Sequence, residues 1–220
     1  MAKVPALTLL ILVLAGGVAC AHRPVFLSPE TEDPYTVSQP EISQAIYREL
    51  VPGQVDYYRL TVPQQGLDLF TQLLVPTRGQ EQDFRPSLAL LGPGLPPARG
   101  ELPLAIPEGS GAVIMDWEDK GIFFEPFTQT RYYMARELRR SLPGGEWQLA
   151  VFHPQGHGGK YTLTLGEEER WSLKDIIRFP NMWLRTRWWY NPLQTVAILV
   201  AGLFLMALAI RLAVRFLGRH

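Results

Sequence analysis

Cysteine is almost absent from the chain, since Cys20 is the only one in 220 residues. It lies in a segment typical of a secretory signal peptide, residues 1–21, in which Lys3 precedes an apolar stretch and Ala19-Cys20-Ala21 forms a small-x-small cleavage pattern. Cleavage there leaves a mature chain that begins at His22 and has no thiol, which excludes disulfides and cysteine nucleophiles. The alternative is that Cys20 is retained and lipidated.

The motifs of the common enzyme classes are also missing. The sequence has no G-x-S-x-G nucleophile elbow, no phosphate-binding loop and no dinucleotide-binding fingerprint. Ser110, in the run EGSGA, lacks the flanking spacing of a nucleophile elbow. We therefore predict that the protein is not an enzyme and needs no cofactor.

Positive charge is scarce in the body of the chain and abundant at its end. Residues 22–170 hold 20 Asp and Glu against 13 Lys and Arg, a net charge of about −7, whereas residues 171–220 hold seven basic residues and one acid. A nucleic-acid-binding protein needs a basic face, so we predict no nucleic-acid partner. The basic C-terminal region suits anionic lipid headgroups.

One long uncharged run is present, and it lies near the C-terminus. Residues 193–210 carry no charge, and as a helix they would cover about 27 Å, close to the thickness of a hydrocarbon core. A buried core helix is the alternative, but it would rarely lack a polar face. We predict a single-pass protein of the plasma (inner) membrane of a bacterial envelope, with residues 22–170 extracytoplasmic and a short basic cytoplasmic tail at 211–220.

Short alternating apolar segments, separated by Pro and Gly, fill residues 22–170, and no long helix pattern precedes residue 170. This spacing predicts a mainly β domain, an antiparallel β-sandwich of jelly-roll-like type. The candidate strands are residues 25–27, 42–50, 55–62, 67–75, 87–91, 102–106, 112–117, 132–137, 146–152 and 161–165.

Several of these segments resemble a known module. The runs PGQVDYYRLTVPQQG, PSLALLGPG, GEWQLAVFHP and GGKYTLTLG are similar to the pre-peptidase C-terminal type of β-sandwich. The runs HRPVF, DFRPSLALLGPGLP, FFEPFTQT and DIIRFP resemble a family of uncharacterised membrane-anchored envelope proteins. The resemblance implies a sandwich fold and a membrane anchor, and it brings no catalytic residues with it.

The segment between the sandwich and the membrane, residues 171–192, predicts a juxtamembrane interfacial helix or linker. Ser172 and Asp175 match a capping box that begins a helix, and Pro180 is expected to end it. Packing of this helix against the end of the sandwich is the alternative. Its basic and aromatic residues are predicted to lie at the membrane interface: Lys174, Arg178, Trp183, Arg185, Arg187, Trp188, Trp189 and Tyr190.

Aromatic residues are concentrated around GIFFEPFTQTR, residues 121–131, which is expected to be a loop. Exposed rings in a loop would form a platform for another envelope or membrane protein, or for a sugar if the module binds carbohydrate. The alternative is a loop that closes the end of the core. The predicted platform residues are Trp117, Phe123, Phe124, Glu125, Phe127 and Tyr132.

The histidines suggest a second function, copper binding. A mature N-terminus at His22 would combine a free amine with an imidazole, and both groups suit copper. His153 and His157 lie in one Gly-rich loop, HPQGHGGK. A copper site requires that His22 come close to this loop.

Overall fold

The computed structural model of the chain describes residues 22–28, 30–31, 33–98, 100–126, 129–170 and 172–217. The predicted signal peptide, including Cys20, lies outside the described residues. The chain divides into two compact units, Met1–Trp171 and Ser172–His220.

The first unit is built from strands, as the short alternating segments predict. One 3-10 helix, Gly79–Asp83, interrupts them. The strands of its described residues are β1 (Arg23–Phe26), β2 (Tyr35–Val37), β3 (Gln44–Leu50), β4 (Val55–Val62), β5 (Leu67–Pro76), β6 (Ser87–Gly92), β7 (Gly111–Met115), β8 (Ile122–Glu125), β9 (Thr130–Met134), β10 (Leu138–Leu142), β11 (Gly145–Phe152) and β12 (Gly159–Leu165).

These strands form two sheets, so the predicted β-sandwich is confirmed. The seven-stranded sheet has the order β1-β3-β12-β5-β9-β8, with β10 also paired to β5, and the five-stranded sheet has the order β2-β4-β11-β6-β7. Most pairings are antiparallel, while β1 with β3 and β2 with β4 are parallel. The strand β8 is the last in its sheet among the described residues.

The core lies between the inner faces of the two sheets, and strands such as β4 alternate buried residues with more exposed ones. Ile46, Leu73 and Leu163 come from the seven-stranded sheet, and Leu60 and Leu149 from the five-stranded sheet, and each is at most 1 % exposed. This alternation is the signal by which the sequence predicts the strands.

The expected strand at residues 102–106 is wrong. This segment forms no strand and instead covers the outer face of the five-stranded sheet, where Leu104 packs with Ala150 and Phe152. The N–H of Ala105 donates to Tyr57 Oη at 2.6 Å, and proline at 103 has no N–H to give to a ladder. The apolar alternation here therefore reflects packing by an irregular segment.

Two further corrections concern β8 and β10. Residues 122–125, expected to be a loop, form β8, because Tyr132 and Tyr133 in β9 provide a strand for it to pair with. The expected strand at 132–137 ends early, at Met134, and a separate strand, β10, follows it and pairs with Leu67–Pro76.

The second unit consists of two helices, α1 (Leu173–Tyr190) and α2 (Pro192–Leu217). The predicted capping box is confirmed, since Ser172 Oγ accepts from the N–H of Asp175 and the Asp175 carboxylate accepts from the N–H of Ser172. The expectation that Pro180 ends this helix is wrong. Pro180 cannot donate to the carbonyl of Ile176 and its ring crowds that carbonyl, yet α1 continues for ten more residues.

A single residue, Asn191, separates the two helices. Its N–H donates to the Arg187 carbonyl, and its own carbonyl accepts from the N–H and the hydroxyl of Thr195. The segment Pro192–Leu212 is 21 residues long with a mean hydropathy of 2.4, so it is long and apolar enough to cross a membrane. The predicted span at residues 193–210 falls within it.

Candidate interaction surface

The strongest candidate surface is the β8–β9 hairpin. The two strands pair antiparallel, with Ile122 opposite Tyr133, Phe123 opposite Tyr132 and Phe124 opposite Arg131. Three consecutive apolar side chains of β8 are exposed: Ile122 by 59 %, Phe123 by 40 % and Phe124 by 51 %. Because side chains alternate along a strand, Ile122 and Phe124 lie on one face and Phe123 on the other. Both faces of this last strand are therefore apolar.

Trp117, predicted to belong to the platform, instead helps to bind a structural arginine. The Arg85 guanidinium lies 4.1 Å from the centroid of the Tyr133 ring and 5.2 Å from that of Trp117. Arg85 Nη1 also donates to the carbonyls of Gln82 and Phe84, and Trp117 Nε1 donates to Asp119 Oδ1 at 2.9 Å. Trp117 is therefore engaged within the domain by cation–π and hydrogen-bond contacts.

The remaining predicted platform residues differ in their exposure. Tyr132 is buried and Glu125 is half-buried, while Phe127 lies outside the described residues. Ile122 belongs to the exposed group although the sequence analysis did not single it out. The run of three large apolar residues, Ile-Phe-Phe, close to the strand-forming pair Tyr132-Tyr133, is the signal that could have found it.

This arrangement gives little support to a carbohydrate platform. A sugar face stacks on rings that are exposed on one side of a surface. Phe123 and Phe124 lie on opposite faces of β8, and the ring of Trp117 faces Arg85. The exposed group offers apolar contact, and the half-buried Glu125 is the one polar side chain on its strand.

The three histidines proposed for copper do not come together. His22 Nδ1 lies 2.6 Å from Ser43 Oγ, beside the start of β3, where Arg23 pairs with Gln44. His157 precedes Gly159, which pairs with Leu50 at the other end of β3. The six residue-to-residue steps from Gln44 to Leu50 span roughly 20 Å. In the described part of the chain, no group of three or more His, Cys, Asp or Glu residues could hold a metal ion.

The pair His153 and His157 is also poorly arranged for a metal. Their rings stack with centroids 4.6 Å apart, and His153 stacks on Phe84 from 5.6 Å. His153 Nδ1 accepts from the N–H of Gln155, which places the proton of the neutral ring on Nε2. Burial, helped by the nearby His157, lowers the pKa of His153. This histidine therefore acts as a neutral packing residue that closes the loop.

A buried polar network that the sequence analysis did not find joins the two sheets. Asp56 in β4 accepts from Arg48 Nε of β3 at 2.9 Å and from Tyr161 Oη of β12 at 2.6 Å. Tyr58 Oη lies 2.6 Å from Tyr161 Oη and is therefore the donor of that bond. All four residues are buried. These bonds cross-link the sheets, because β3 and β12 belong to the seven-stranded sheet and β4 to the five-stranded sheet.

Two opposing effects act on the Asp56 carboxyl. Burial raises the pKa of Asp56 above its usual value, and the hydrogen bond from Tyr161 and the charge of Arg48 offset only part of this shift. The geometry favours an ionised carboxylate, since Arg48 and Tyr161 each point a donor at it. Arg48 Nη1 has no hydrogen-bond partner among the described residues.

The predicted membrane-interface residues fall into three groups in α1. Arg178, Arg185 and Trp188 are exposed, whereas Trp183, Trp189 and Tyr190 are half-buried. Arg187 is buried, and its guanidinium lies 5.1 Å from the centroid of the Trp183 ring. A buried Arg187 does not fit the expectation that it reaches lipid phosphates. The side chain of Lys174 lies outside the described part.

Comparison with known proteins assigns the chain to no family. The sequence matches no protein-family model and no curated protein. The function is therefore inferred from the residues and their geometry.

Proposed function

We propose that this chain is a non-enzymatic, membrane-anchored binding or assembly module, which holds a β-sandwich at the extracytoplasmic surface of the plasma (inner) membrane. The observation that carries the proposal is the exposed apolar group Ile122, Phe123 and Phe124 on β8, the last strand of its sheet in the part of the chain that the structure describes. A folded domain rarely leaves consecutive large apolar side chains exposed unless another molecule covers them.

The hairpin favours a protein as the covering molecule over lipid. A strand at the end of a sheet carries backbone N–H and C=O groups along its outer edge. Hydrocarbon cannot satisfy such groups, so an open sheet edge is costly in a bilayer. A protein can pair with the edge by adding a strand while its apolar pockets accept Phe123 and Phe124. The partner is therefore another envelope or membrane protein.

Photo-crosslinking from position 124 tests this proposal. We expect a photoreactive phenylalanine analogue in place of Phe124, in the full chain in its native membrane, to form one discrete protein adduct. The adduct should fall by about tenfold or more when Ile122 and Phe123 are both changed to Ser, because truncating a hot-spot side chain at an interface costs about 2 kcal/mol or more.

The same analogue at Thr61, an exposed residue of β4, is the matched control and should give no discrete adduct. A protein adduct at position 124 that the Ser variants leave unchanged would contradict the proposal. Adducts with lipid alone would instead assign the hairpin to the bilayer and would also refute it.

A further inference from the structure

The helix α1 carries a long exposed apolar stripe that the sequence analysis interrupted at Pro180. Since α1 continues to Tyr190, its 18 residues extend for about 27 Å. Leu173, Ile176, Ile177 and Trp188 are each more than half exposed. With 3.6 residues per turn they fall on one side of the helix, and Pro180 and Leu184 occupy positions of the same stripe.

A polar stripe borders the apolar one. Arg178, Asn181 and Arg185 are exposed, and their spacing of three and four residues places them along one line of the helix. Lys174 holds a position of the same line in the sequence. The one acid of α1, Asp175, bonds with Ser172 in the capping box. The stripe that borders the apolar residues is therefore basic.

The short junction with α2 limits what can cover this helix. Only Asn191 lies between the end of α1 and the beginning of the candidate span at Pro192. If the span crosses the bilayer, the C-terminal end of α1 is at the membrane surface. A helix satisfies its own backbone hydrogen bonds, so it can lie against lipid.

We infer that α1 lies in the headgroup region of the bilayer, with Leu173, Ile176, Ile177 and Trp188 toward the acyl chains and the Arg178–Arg185 stripe toward the phosphates of anionic lipids. The inference rests on the membrane anchorage in the proposed function and is independent of the protein partner at β8. It assigns α1 a position parallel to the membrane, as expected of an amphipathic helix with one basic border.

A fluorescent label at Ile177 tests the position of α1. The full chain carries Cys20→Ser and Ile177→Cys, so that it has a single cysteine. This cysteine is labelled with an environment-sensitive nitrobenzoxadiazole dye. The labelled protein is placed in nanodiscs of phosphatidylcholine with phosphatidylglycerol. We expect blue-shifted emission and strong quenching by lipids that carry a shallow nitroxide. The same label at Asn181 should be quenched less, and at Thr36 of the sandwich it should show emission typical of water.

Anionic lipid is tested by removing phosphatidylglycerol or by the double change Arg178→Gln and Arg185→Gln. Each basic residue near an anionic surface is worth about a fivefold change in the docked-to-undocked ratio, so both changes should weaken quenching at position 177. Water-like emission at Ile177 from chain that remains in the nanodisc would overturn the inference, and so would quenching insensitive to both changes. Chain that leaves the nanodisc would instead refute the membrane anchorage in the proposed function.

Discussion

Changing Asp56 to Leu is expected to lower the free energy of unfolding of the sandwich by about 3–5 kcal/mol. The carboxylate accepts from Arg48 Nε and from Tyr161 Oη inside the core. Its removal leaves the Arg48 guanidinium buried with no opposite charge. Denaturant unfolding of the full chain in detergent micelles, followed by tryptophan fluorescence, measures the loss.

Two further variants make this prediction specific. Adding Arg48→Met to Asp56→Leu should recover most of the loss, since replacing a whole buried ion pair with apolar residues is often neutral. Glu167→Gln removes an exposed partner of Arg139 and should cost less than about 1 kcal/mol. If Asp56→Leu unfolds like the wild type, or if the double variant is no more stable than Asp56→Leu, the network does not link the sheets as described.

Two lysines in the middle of α2 are expected to release the chain from the membrane. Leu203 and Phe204 lie near the centre of Pro192–Leu212, where each lysine costs roughly 2.5–3.5 kcal/mol of insertion free energy. The double variant Leu203→Lys and Phe204→Lys should therefore move from the pellet to the supernatant on alkaline carbonate extraction.

Lysines at the edge of the same helix provide the matched control. In Leu193→Lys with Gln194→Lys, the ammonium groups can reach the interface, so this variant should stay in the pellet. Equal retention of both variants would show that the segment does not cross the bilayer.

The sandwich could be predicted from the sequence because burial of one face imposes a period of two on strands such as β4. Leu60 and Leu149, for example, are buried where the alternation predicts them. The segment 102–106 has similar apolar residues but covers the outside of a sheet. Strand pairing and surface packing demand the same apolar composition, and only the neighbours of the segment decide between them.

The residues of the candidate site were harder to predict from the sequence than the fold. Concentrated aromatic residues drew attention to residues 121–131, where Phe123 and Phe124 are exposed. The roles of Trp117 and Tyr132 depend on contacts with residues far along the chain, such as Arg85, which no local pattern encodes. The same reason hid the Arg48–Asp56–Tyr161 network, since its members join three strands.

The helix α1 shows a different kind of error. Its beginning was predictable because the capping box between Ser172 and Asp175 is local. Its end was not, because one proline removes a single hydrogen bond and the following residues can continue the helix. The consequence is an apolar stripe that extends to Trp188.

Labelling of single cysteines in intact cells tests the central claim, a sandwich held outside a membrane by α2, most directly. In a Cys20→Ser background, a cysteine at Thr36 should react with a membrane-impermeant maleimide, while one at Val214, between Arg211 and Arg215, should react only after permeabilisation. Reaction of Val214→Cys in intact cells, or protection of Thr36→Cys, would contradict the account.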